Sequence, residues 1–164
     1  MTLPFDPIAE ARRQWERHGW AESAPGMAMV TSIIRAQQLV LHRADSALRD
    51  LGLTLARYEV LMVLVFSTRG TLPLSLIGNR LQVHPTSVTS LLDRLEDQGY
   101  VRRRAHPTDR RAKLAEVTPE GREVAQLATE RLNERVYADP GIDEGDVETL
   151  IEILGRLRQQ AGDF

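Results

Sequence analysis

LSLIGNRLQVHPTSVTSLLDRLEDQGYV, residues 74–101, reads as a short helix, a tight connection at Gln82 to His84, and a second helix opened by Pro85. Proline suits the first helical position because the N–H it lacks would have no partner there. In the second helix Val88, Leu91, Leu92 and Leu95 recur at steps of three and four and define an inner face, with Val88, Leu91 and Leu95 expected in the core. Thr86, Ser87, Thr89, Ser90 and Arg94 crowd the opposite face near the amino end. A cap needs one such hydroxyl, whereas four within a turn and a half lower helix propensity for no local gain. Short hydroxyl side chains backed by arginine at the start of an exposed helix suit the major groove of a duplex, where bulk is excluded and base edges offer donors and acceptors.

The chain then enters VRRRAHPTDRRAK, residues 101–113, with six Lys or Arg side chains against a single acid. Gly99 ends the helix, YVRRRA leads into a strand, HPTD turns it and RRAKLAEV returns it, which makes a basic β-hairpin. Charge on an edge strand also prevents aggregation, but that purpose needs only one or two cations and gains nothing from an arginine-rich tip. Helix, turn, helix and basic hairpin together predict a winged helix-turn-helix. Its cationic candidates for contact with DNA are Arg103, Arg104, Arg110, Arg111 and Lys113.

The wider chain is consistent with that reading. With 164 residues, 42% of them apolar, the composition fits one compact domain or a small domain with an oligomerisation element. A formal net charge of −2 means that an anionic partner must be met by a local patch, not by bulk charge. The absence of cysteine removes disulfides, thiol nucleophiles and zinc ribbons together. The first twenty residues carry acids and arginines where a signal peptide needs an apolar core, and no apolar run is long enough to span a bilayer. A soluble cytoplasmic protein with no membrane partner is expected. There is no phosphate-binding glycine loop, HExxH or GxSxG, so an enzyme is not expected, and no cofactor is implied. His18, His42, His84 and His106 are scattered; His42 with Asp45 offers two ligands at most, so no metal site is assigned.

Periodicity predicts a mainly α protein. Asp6 and Pro7 open a short arm helix ending near Gly19, and a long helix runs from Met27 to about Asp50. Thr54 caps the next, with Leu55, Tyr58, Leu61, Met62 and Val65 as its buried stripe, and Pro73 starts a short helix over 74–81. Beyond the hairpin, Thr118 and Pro119 start a long helix through about Val136, and Val147, Leu150, Ile151, Leu154 and Leu157 stripe a last one. These elements divide into an arm and first dimerisation helix over 1–53, a winged lobe over 54–117 and C-terminal dimerisation helices over 118–164, one intertwined domain overall.

Three segments, LTLARYEVLMVL, VHPTSVTSLLDRLEDQGYVRRR and DRRAKLAEVTPEGRE, together resemble the MarR family of bacterial transcription regulators over roughly residues 30–136. Most specific is the wing signature Asp109, Arg110, Arg111 followed by VTPEG. The resemblance implies that Arg111 enters the minor groove and that Asp109 orients the wing. It also implies a homodimer built from the first and last helices, a palindromic double-stranded DNA operator, and a repressor released by a small organic or aromatic acid. For such a ligand the candidate lining residues are Trp15, Trp20, Arg35, His42, Tyr58 and Glu59. The arm helix and Glu59 resemble the layout of the family's urate-responsive branch, but Ser90 stands where that branch carries an arginine. A winged-helix module for protein contacts alone is the contrasting reading, disfavoured by the hydroxyl-rich helix face.

Overall fold

A computed structural model describes residues 3–106 and 112–164. The chain divides into two compact units, residues 1–46 and 47–164.

In the first unit α1 spans Pro7–Arg17. Asp6 caps it, its carboxylate accepting from the Ile8 N–H at 2.9 Å, and Pro7 occupies the first turn. Exposed pairs Arg12–Glu16 and Arg13–Glu10 line its outer face. Trp20 then folds back on Trp15, the rings 5.2 Å apart at 62°, so the arm carries its own aromatic clasp. Helix α2, Ala24–Leu48, begins here. Through its middle Val30, Ile33, Ile34 and Leu41 are exposed, whereas Ala47 and Leu48, in the second unit, are buried.

The second unit holds the remaining elements. A turn of 3-10 helix, Arg49–Leu51, leads to α3, Leu55–Val65, capped by the Thr54 hydroxyl. Strand β1, Thr71–Pro73, precedes α4, Leu74–Leu81, and α5, Pro85–Asp97. Strands β2, Val101–Ala105, and β3, Lys113–Val117, form the hairpin. Helix α6, Pro119–Leu132, runs into a π-helical turn, Asn133–Tyr137, and α7 spans Glu144–Gln160. No described helix is long and apolar enough to cross a membrane.

The expected winged helix-turn-helix is present, with one addition. The sheet has three antiparallel strands in the order β1-β3-β2, with Leu72 opposite Ala115 and Val101 opposite Val117. Inward-facing Leu72, Val101, Ala115 and Val117 join Val60, Leu61, Leu64, Ile77, Val88, Leu92 and Leu95 in the buried core. The α3 stripe is corrected in part: Val60 and Leu64 are fully buried, and Leu55, Met62 and Val65 are half-buried. On α5, Leu92 takes the fully buried place expected of Leu91, which is half-buried, because the core meets the helix from the Val88, Leu92 and Leu95 side.

The VTPEG segment turns the wing into α6. The Thr118 hydroxyl accepts from the Gly121 N–H at 3.0 Å and donates to the Gly99 carbonyl at 2.8 Å, and the Thr118 N–H donates to the Tyr100 carbonyl at 3.0 Å. Gly121 lies so close to the Tyr100 carbonyl that a Cβ there would collide with backbone. Gly121→Ala should therefore lower stability by about 1–3 kcal/mol, the usual cost of forcing atoms into a packed site. Leu92→Ala should cost about 2–5 kcal/mol as a core cavity, whereas Thr89→Ala on the exposed face should stay within about 0.5 kcal/mol of the parent. Denaturant unfolding checks all three; a Gly121→Ala protein as stable as its parent contradicts the packing described.

Candidate nucleic-acid interface

Helix α5 is positioned by its apolar side and presents its polar one. Val88, Leu92 and Leu95 are buried, while Thr86, Ser87, Thr89, Ser90 and Arg94 are all exposed. His84 takes the cap position: its Nδ1 accepts from the Thr86 N–H at 3.3 Å and lies 3.1 Å from the Thr86 hydroxyl. The Thr89 hydroxyl donates to the Pro85 carbonyl at 3.2 Å. The side chains of Ser87, Ser90 and Arg94 make no hydrogen bond or ion pair among the described residues, so their donors and acceptors face outward unpaired. Since the cap is supplied by His84, the hydroxyl cluster is not needed for capping, and this distinguishes it from an ordinary helix start.

The wing is less free in its charge than its sequence implies. Pairing of β2 with β3 sets Arg102 opposite Glu116, and alternation along the strand brings Arg104 to the same acid. Arg102 reaches Glu116 at 2.7 and 3.0 Å, and Arg104 reaches it at 2.6 Å. The hydrogen bond from Arg102, with Arg104 adding to it, holds the Glu116 carboxyl below its usual range. Arg103 points to the other face. Its guanidinium meets Asp93 at 2.6 Å, Glu96 at 3.1 Å and the Thr89 carbonyl at 3.0 Å, and its backbone N–H donates to Glu96 at 2.8 Å.

Of the sequence-derived wing residues, Arg104 therefore lies exposed beside Glu116, Arg103 lies against α5, and Lys113 is exposed with no ion pair among the described residues. Asp109, Arg110 and Arg111 lie outside the described residues. Arg80, which the sequence did not single out, is exposed in the last turn of α4 with no ion pair among the described residues. A lone arginine on a short helix carries no pattern that marks it. The three acids that answer the wing arginines were also missed, because Asp93 and Glu96 meet Arg103 only after the hairpin folds back on α5.

The ligand candidates fall in both units and are described separately. Within residues 1–46, Trp15 is half-buried beneath exposed Trp20, which also stacks with His18 at 5.7 Å. Arg35 and His42 are exposed on α2, Arg35 lying 3.5 Å from Gln38. Within residues 47–164, Tyr58 is buried with its hydroxyl 3.0 Å from that of Thr129, and partial desolvation raises the carboxyl pKa of the outward-facing Glu59. A cleft of about 330 Å³ between α3 and α6, lined by Met62, Val65, Arg122, Ala125, Gln126, Thr129 and Glu130, had no signal in the sequence. Among the described residues no three His, Asp or Glu side chains gather as a metal site.

Comparison with known proteins agrees with this geometry. The sequence profile of the MarR family matches residues 53–113. The HTH-type transcriptional regulator PrsX of Escherichia coli is 31% identical over 125 residues, which cover 75% of this chain and 74% of that protein. The crystal structure of Sco5413, a MarR family transcriptional regulator from Streptomyces coelicolor, superposes with a TM-score of 0.79 at 45% identity, covering 85% of this chain and 97% of the other. Sco3205, a MarR family regulator from the same organism solved in complex with DNA, superposes with a TM-score of 0.69 at 26% identity over 80% of this chain and 84% of its own. With its winged helix-turn-helix, its VTPEG junction and these relatives, the chain belongs to the MarR family of transcriptional regulators.

Proposed function

We propose that the protein is a sequence-specific regulator that binds a palindromic double-stranded DNA operator as a homodimer. The observation that carries this reading is the outward face of α5, where Ser87, Ser90 and Arg94 are exposed and their side chains make no hydrogen bond or ion pair among the described residues. These groups read base edges in the major groove, Thr86 and Thr89 flank them, and Lys113, Arg104 and Arg80 meet phosphates. Arg111 at the wing signature supplies the minor-groove contact, with Asp109 orienting the wing, as the family resemblance implies, and Arg110 beside it adds positive charge.

Two apolar rows support the dimer: Val30, Ile33, Ile34 and Leu41 on α2, and Leu150, Ile151, Ile153 and Leu157 on α7, all exposed in the single chain. Rows of that size on two long helices need a cover, and a second copy related by a twofold axis supplies it while presenting two recognition helices at once. A small aromatic acid is the effector, its ring on Met62 and Val65 and its carboxylate toward Arg122 in the cleft between α3 and α6, next to the Tyr58–Thr129 hydrogen bond. Binding there weakens operator affinity if the cleft differs between the DNA-bound and free states, since only differential affinity moves such an equilibrium.

Four outcomes are expected. An operator recovered by selection from random duplexes should contain two half-sites about one helical turn apart, and log affinity should fall steeply with log salt concentration. Ser90→Ala should relax base preference without lowering the melting temperature; a flat salt response with no preferred sequence would instead favour a module for protein contacts. Removal of residues 141–164 should leave a monomer or aggregate in sedimentation equilibrium, with operator binding lost because two half-sites no longer act together. Benzoate and 4-hydroxybenzoate, titrated calorimetrically, should bind the parent but not Arg122→Gln, and should weaken its operator binding; equal heats with both proteins would remove the cleft from the account.

A further inference from the structure

We propose that Arg103 acts as a positioning residue that pins the wing to the recognition helix and so fixes the angle between the β2 and β3 strands and the hydroxyl face of α5. This rests on the DNA-binding reading above and assigns Arg103 a role other than touching DNA. Successive strand residues point to opposite faces, so within VRRRA the side chain of Arg103 turns toward α5 while Arg102 and Arg104 turn to Glu116.

What Arg103 meets there is extensive. Its guanidinium contacts two carboxylates, Asp93 at 2.6 Å and Glu96 at 3.1 Å, and the main-chain carbonyl of Thr89 at 3.0 Å. These partners span two turns of α5, and Thr89 itself belongs to the outward hydroxyl cluster. The Arg103 side chain keeps only 20% of its surface exposed, and its Nε is buried without a partner, so most of the group is turned away from solvent. The Glu96 carboxylate also accepts from the Arg103 backbone N–H at 2.8 Å, so side chain and main chain of one residue grip the same helix. The planar fork of arginine suits three acceptors spread in this way, whereas lysine offers a single point charge.

The pin gives a test whose sign separates it from a direct contact. Asp93 and Glu96 are acids beside the proposed DNA surface, so neutralising them should tighten binding if they only repel phosphates. If they hold the pin, Asp93→Asn with Glu96→Gln should weaken operator binding by about 10- to 100-fold, the scale of lost charge-assisted hydrogen bonds. Arg103→Gln should weaken it to a similar degree, and the triple variant should be hardly worse than either, because all three act through one contact. Arg103→Lys should recover part of the loss. In the free protein, hydrogen exchange of the β2 and β3 amides should accelerate in the Asp93→Asn, Glu96→Gln variant while α3 and α6 keep parental protection. Tighter operator binding by that variant, or losses that add in the triple variant, would overturn the proposal. So would unchanged exchange in β2 and β3. Should the parent bind no duplex at all, the DNA-binding reading fails, and the exchange arm still decides whether Arg103 holds the wing.

Discussion

The second unit depends on the junction at which the carbonyls of Gly99 and Tyr100 receive the hydroxyl and N–H of Thr118, with Gly121 pressed against the same backbone. That junction lies between the end of α5 and the start of α6, and the whole wing is the loop it closes. Because Val101 pairs with Val117 directly beyond it, the junction also sets the register of the hairpin. A shift by one residue would turn Arg103 away from α5 and drive Arg102 or Arg104 toward the core side, since strand residues alternate faces. Thr118 additionally caps α6, so a single side chain serves the helix start and the wing base together.

Much of this was legible in the sequence. The boundaries of α4, the proline openings of α5 and α6, and the caps at Asp6, Thr54 and Thr118 stand where spacing and residue type placed them. These features are local: a cap or a proline acts on neighbours within a turn, so its effect is written in adjacent residues. Strand β1 was not legible because three residues ending in proline carry no alternation; only the pairing of Leu72 with Ala115 makes it a strand. The π-helical turn at Asn133–Tyr137 likewise interrupts a continuous helical pattern without a local marker. Leu91 and Leu92 were distinguishable only by the direction from which the core approaches, as both lie near the apolar side of the helix.

The candidate site divides in the same way. The hydroxyl face of α5 could be read from composition on one helix, whereas the fate of each wing arginine required tertiary placement. Asp93 and Glu96 look like ordinary solvent-facing acids in the helix sequence, and Glu116 like a polar strand residue. Only the fold brings them against Arg103, Arg102 and Arg104. The cleft between α3 and α6 is a gap between two packed helices, and a gap has no residue of its own to announce it.

The internal pairing of the wing arginines bears on how such a regulator finds its target in a crowded genome. Nonspecific attachment to DNA grows with the number of cations free to displace counterions, each contributing about 0.9 to the salt exponent. Three arginines already answered by Glu116, Asp93 and Glu96 contribute less to that indiscriminate attraction than three free ones would. A genome offers on the order of a million or more competing sites, so weak bulk attachment leaves a larger share of molecules unbound and searching. Glu116 on the wing and Asp93 and Glu96 on α5 thus favour discrimination over grip: by answering these arginines they reduce the charge available for nonspecific attachment.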